Sequence, residues 1–99
     1  MPEKHEIDYS LIPDYMRRSV KAYLEEGIKP GSFLTAILEN NLTESIARAD
    51  SVNLANLINW ARFLYDELPM GCWGSKEKVK KWIEIKQLER LSKQEGEQS

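Results

Sequence analysis

The apolar positions of this 99-residue chain recur with helical spacing and almost nowhere with the alternation of a strand. Met16, Val20, Tyr23 and Leu24 fall at i, i+4, i+7 and i+8, one face of a helix over about 13–26. Pro13 suits its first position, and Gly27 suits a left-handed residue after its end. A short second helix starts at Ser32, whose hydroxyl can cap it, with Phe33, Leu34, Ile37 and Leu38 as its apolar set. Asn40-Asn41 ends it. Asn41 with Glu44 resembles a capping box, and Leu42, Ile46 and Ala49 make a brief third helix. Asp50 or Ser51 caps the longest segment, about 52–67, whose inward face reads Leu54, Leu57, Ile58, Ala61, Leu64, Tyr65 and Leu68. The stretch from Leu68 to Gly74, with its Pro and two Gly, breaks the chain. Ser75 then caps a last helix over about 76–91, with Val79, Trp82, Ile83 and Leu88 inward. The pattern predicts an all-α fold, a small orthogonal bundle of five helices, two of them short. Its expected organisation is a polar N-terminal arm over 1–12, a single helical domain over 13–91 and a frayed polar tail over 92–99.

Composition narrows the class. A chain of this size buries only about two-thirds of its unfolded surface, so self-association would help it, and a homo-oligomer is expected. With 41% hydrophobic and 30% charged residues and a net charge of −2, it is neither a strongly basic nucleic-acid binder nor an acidic DNA mimic. One cysteine and one histidine exclude a disulfide framework and a zinc site, and no cofactor is implied. No stretch has signal-peptide character or the length to cross a bilayer, which points to the cytoplasm.

Charge is uneven. Residues 1–75 carry 7 Lys/Arg against 11 Asp/Glu, whereas residues 76–93 carry 7 against 3. The last helix is therefore basic and amphipathic, with Lys76, Lys78, Lys80, Lys81, Lys86 and Arg90 on it. That is either a solvated face or a docking surface for an acidic partner.

Catalytic signatures are missing, and no enzyme is expected. A Cys72–His5 dyad would rely on a loosely held segment, and no nucleophile elbow, Walker loop or dinucleotide fingerprint is present. Thr43 to Trp60 resembles a helix-turn-helix, with Ser51-Val52-Asn53 at the turn. The would-be recognition helix offers Asn53, Ala55, Asn56 and Asn59 but no Lys or Arg before Arg62. Without phosphate anchors DNA is a weaker expectation.

The stretch GIKPGSFLTAILENNL, Gly27 to Leu42, carries the more specific chemistry. First-turn amides of a helix lack internal partners and lie at the positive end of its dipole. Gly31 leaves room for close approach, and Ser32 adds a hydroxyl, the recipe for holding phosphate or carboxylate. Gly74-Ser75 repeats the arrangement at the last helix, beside Trp73, which could stack on a base or simply plug the core. Lys29, Arg48 and Lys76 are the nearby positive charges. The candidate ligand-binding set is therefore Lys29, Gly31, Ser32, Arg48, Trp73, Gly74, Ser75 and Lys76, weighed against plain capping.

The segments IPDYMRRSVKAYLEEGIKPGSFLTAILENNL, ARAD and FLYDELPMGCWGS, with Trp82, resemble short proteins encoded by bacteriophages and prophages. Their pattern runs I-P-x-x-M, G-I-x-P-G-S-F-L-T-A-x-L, R-A-D, F-L-Y and C-W-G-S. The resemblance spans about residues 12 to 83. It implies a phage context, hence host cytoplasm, and no particular activity. Three functions follow as expectations: a binder of a small anionic, nucleotide-like ligand that sequesters a host defence signal; a module docking on a host protein; and a helix-turn-helix regulator.

Overall fold

The computed structural model describes residues 6–98, with side chains through Lys93. Among them are six α-helices and no strand: α1 (Asp14–Glu26), α2 (Ser32–Leu38), α3 (Leu42–Arg48), α4 (Ser51–Ala55), α5 (Leu57–Glu67) and α6 (Lys76–Gln98). Two 3-10 turns, Tyr9–Leu11 and Met70–Cys72, complete the chain. The all-α bundle expected from the spacing is the fold observed.

α2 is the hub. Phe33, Leu34, Ala36, Ile37 and Leu38 of its seven residues are buried, so it owes its stability to packing rather than propensity. Around it lie Val20, Tyr23 and Leu24 of α1, Trp60, Phe63 and Leu64 of α5, and Val79 of α6. Phe33, Trp60 and Phe63 meet edge to face at centroid distances of 5.5 and 6.1 Å, and Tyr9 tilts against Phe63 at 5.7 Å. Such pairs contribute about 0.5–1.5 kcal/mol each beyond their buried area. The opening segment joins this core through buried Ile12, with Ile7, Tyr9 and Leu11 packed against it.

Several local signals act as the residue types require. Gly27 ends α1 at φ 68°, and its N–H donates to the Tyr23 carbonyl at 3.0 Å. A side chain there would place its Cβ 2.7 Å from Lys86 Cβ and 2.9 Å from the Ile83 carbonyl oxygen, so α1 ends flush against α6. Asn41 Oδ1 accepts from the Glu44 N–H at 3.1 Å and caps α3. Asp50 Oδ1 accepts from the Asn53 N–H at 2.7 Å and caps α4. Pro13 precedes the first helical residue rather than occupying it.

The middle of the chain departs from the expected pattern. Segment 52–67 is two helices, parted at Asn56, where φ −105° and ψ 17° leave the helical range. Their inward face is rotated. Asn53, Trp60, Phe63 and Leu64 point in, whereas Leu54, Ala61, Ile58 (78% exposed) and Tyr65 (80% exposed) point out. Large aromatic rings bury more apolar surface than the aliphatic set they displace. α3 turns in the same way: Leu42 and Ile46 are exposed, while buried Ser45 donates its hydroxyl to the Asn41 carbonyl at 2.6 Å.

α6, not segment 52–67, is the longest helix, at 23 residues. Val79 is buried and Trp82 and Ile83 half-buried, with the Trp82 indole N–H donating to the Tyr23 carbonyl at 3.2 Å. Leu88, expected inward, is 65% exposed because α1 ends at Glu26 and leaves nothing beneath it. α6 continues past residue 91 to Gln98, and the molecule measures 49 Å along its longest axis.

Candidate functional site

The first Gly-Ser start opens to solvent. α2 begins after Gly31 without a side-chain cap, so the Ser32 hydroxyl does not serve as one. Gly31 is exposed at φ −69°, and an added Cβ there would meet nothing within 4 Å. Lys29, Ser32 and Arg48 line one hollow of about 390 Å³ beside this start. Lys29 and Lys76 face an adjoining hollow of about 290 Å³. Gly31, Ser32 and Arg48 border a third, with Asp50. Four of the eight expected residues, Lys29, Gly31, Ser32 and Arg48, thus gather around the start of α2, with Lys76 across the adjoining hollow from Lys29. The potential there is mixed, however: Glu39 and Glu44 share the first hollow, and Arg48 Nε pairs with Glu44 Oε2 at 3.1 Å.

The second start is occupied by the chain itself. The Gly74 N–H donates to the Leu38 carbonyl at 2.8 Å, closing the far end of α2. Ser75 Oγ accepts from the Lys78 N–H at 3.2 Å, an ordinary N-cap. The two Gly-Ser pairs therefore sit at opposite ends of a helix about 10 Å long and share no hollow. Trp73 packs against the core with its indole nitrogen buried and without an acceptor among the described residues. Gly74, Ser75 and Trp73 thus line none of these three hollows.

The nucleophile candidate is inert. Cys72 is fully buried, its thiol donates to the Pro69 carbonyl at 3.1 Å, and burial pushes its pKa up to about 12. Its imagined partner His5 lies outside the described residues. Tyr23 Oη donates to the Cys72 carbonyl at 2.6 Å, and burial raises that phenol as well. Among the described residues no acidic, His or Cys cluster could hold a metal ion.

The helix-turn-helix pattern folds differently. Ser51-Val52-Asn53, expected as a turn, forms the first turn of α4. Asn53 is 3% exposed, and its Oδ1 accepts from the Trp60 indole N–H at 3.0 Å. Asn56 Nδ2 donates to the Val52 carbonyl at 2.9 Å and Asn59 Nδ2 to Asn56 Oδ1 at 3.2 Å. Three of the would-be base-reading side chains are engaged within the chain.

An apolar groove that the spacing did not indicate lies between α3 and α5. Its volume is about 280 Å³, with Leu42, Ala61 and Tyr65 at its walls and Ile37, Leu57, Leu64 and Trp73 beneath. Ile46 on α3 and Ile58 on α5 are exposed on the same two helices. The residues that form its walls are ones the periodicity assigns to the interior; their outward turn is what makes the surface. The spacing of Ile58, Ala61 and Tyr65 was visible in the sequence, but the direction they face was not.

No protein-family model matches this chain, and no curated protein or solved structure matches it. Among the described residues no helix is long and apolar enough to cross a membrane.

Proposed function

We propose that this chain is a small non-catalytic docking protein that engages a protein partner through the apolar groove between α3 and α5. One observation carries the reading: Leu42, Ala61 and Tyr65 line that groove and are exposed, and Ile46 and Ile58 are exposed on the same two helices. Monomeric proteins rarely expose contiguous apolar surface beyond a few hundred Å², and larger patches mark interaction sites. A largely apolar groove between two helices can take an amphipathic helix, the mode in which apolar side chains one turn apart fill a hydrophobic trough.

Photo-incorporation of the hydrophobic probe bis-ANS into the native protein, at a concentration where it is monomeric, tests this. Labelled peptides are expected from α3 and α5. An Ile58→Lys/Tyr65→Lys variant should keep its helical spectrum and lose the label. Labelling that maps elsewhere, or none, would remove the reading.

A small-anion function remains as a second reading on a single observation, the gathering of Lys29, Ser32 and Arg48 around the open start of α2. It lacks the second Gly-Ser start, and the two carboxylates in the same wall oppose a negative ligand. A nucleotide-like defence signal, expected from the doubled motif, therefore has weaker support than a protein partner. DNA has weaker support still, since Asn53, Asn56 and Asn59 are already engaged.

A further inference from the structure

We infer that the occupant of the groove is a second copy of this chain, whose distal α6 lies between α3 and α5. The inference rests on the docking reading above and names the partner.

The chain carries both halves of such a contact. Ile85, Leu88 and Leu91 are exposed on α6 at i, i+3 and i+6, an apolar arc of about 120° around the helix. They span the stretch along which α6 leaves the body: Ile83, Lys86 and Gln87 face Gly27 at the end of α1, and the Arg90 guanidinium donates to the last carbonyl of that helix, Glu26, at 3.4 Å. Among the described residues no element covers them, just as none covers Leu42, Ile58 and Tyr65. A helix stripe and a helix-sized trough, both apolar and both open, are complementary surfaces.

Their union must be between molecules. α6 is a single helix about 35 Å long, pinned at Val79 and Trp82, so its far end cannot fold back onto its own α3–α5 face. Charge favours the same pairing. Residues 76–93 carry 7 Lys/Arg against 3 Asp/Glu, and residues 1–75 carry 7 against 11, so the helix of one copy is attracted to the body of another. Size selects reciprocity. Three stripe residues, Ile85, Leu88 and Leu91, are far fewer than the roughly 20–30 residues a side of a standard interface, whereas a twofold exchange makes the contact twice.

Sedimentation velocity on the full chain tests the exchange. The wild type is expected to be a dimer that weakens as salt rises. Leu88→Glu, on the helix, and Tyr65→Glu, in the groove, should each weaken association at least ~10-fold, about 1.4 kcal/mol, with the helical spectrum intact. Mixing the two variants should restore a heterodimer, because one intact helix then meets one intact groove. Leu88→Glu that still dimerises would mean a groove-to-groove contact. Tyr65→Glu that still dimerises would mean a helix-to-helix contact. Either overturns the inference. A monomeric wild type that takes up bis-ANS on α3 and α5 overturns it too and leaves the docking reading standing. A monomer with no uptake removes both.

Discussion

The indole N–H of Trp60 donates to the side-chain oxygen of Asn53 at 3.0 Å, and both residues are buried. The bond spans the break at Asn56 and ties α4 to α5. It also settles which way the pair faces. With Asn53 and Trp60 inward, Leu54, Ile58 and Tyr65 have no place in the core, and their exposure is the consequence.

Replacing Asn53 by Leu keeps the volume and leaves the Trp60 N–H buried without an acceptor. The expected cost is about 1–3 kcal/mol in urea unfolding. Asn53→Asp, which keeps an acceptor, should recover part of it. Equal stability of wild type and Asn53→Leu would mean that the bond does not set the orientation.

A second tether joins α1 to the same region: Tyr15 Oη donates to Asp50 Oδ2 at 2.6 Å. That bond, with the backbone amides of the cap, holds the Asp50 carboxyl below its usual 3.8, while the Tyr15 phenol rises to about 12. The depressed Asp50 pKa contributes stability above 3.8 that fades as pH falls through its lower folded value. The raised phenol contributes stability below 10 that fades as pH climbs toward 12. The stability gap between wild type and Tyr15→Phe should therefore be flat through neutral pH and narrow at both extremes. A gap that does not vary with pH would contradict the tether.

Two glycines should respond oppositely. Gly27→Ala forces a left-handed residue with a Cβ onto α6, and a loss of at least ~1–2 kcal/mol is expected. Gly31→Val faces open space at negative φ and should change stability by no more than ~0.5 kcal/mol. The same variant decides the anion reading. Phosphate that raises the melting temperature of the wild type but not of Gly31→Val would support a site at the start of α2; no rise in the wild type would end it.

Cys72 should behave as core. Its thiol is expected to react with a disulfide reagent only as fast as the protein opens, and at the free-cysteine rate in denaturant. Fast reaction in the native state would contradict its burial.

The fold was largely legible in the spacing, the docking face was not. α1 and α2 have one apolar stripe each, made of residues that agree, and both faces were read correctly. In α3 and α5 two stripes compete. Periodicity counts apolar residues, whereas packing weighs their size and their bonds, so Trp60 and Phe63 prevail over Ile58 and Tyr65. Ser45 and Asn53 then sit inside as polar residues because Asn41 and Trp60 supply their partners, and hydropathy carries no record of that. The Gly-Ser pairs teach the same lesson. They look alike locally, but the Leu38 carbonyl, distant in sequence, claims the amide of Gly74 and none of Gly31.

The most direct measurement is urea unfolding of Ile58→Lys/Tyr65→Lys at a protein concentration where both variant and wild type are monomeric. With these side chains on the surface, the free energy of unfolding should change by no more than ~0.5 kcal/mol. A loss of about 2–5 kcal/mol, the cost of disrupting core packing, would place them inside and leave no docking face.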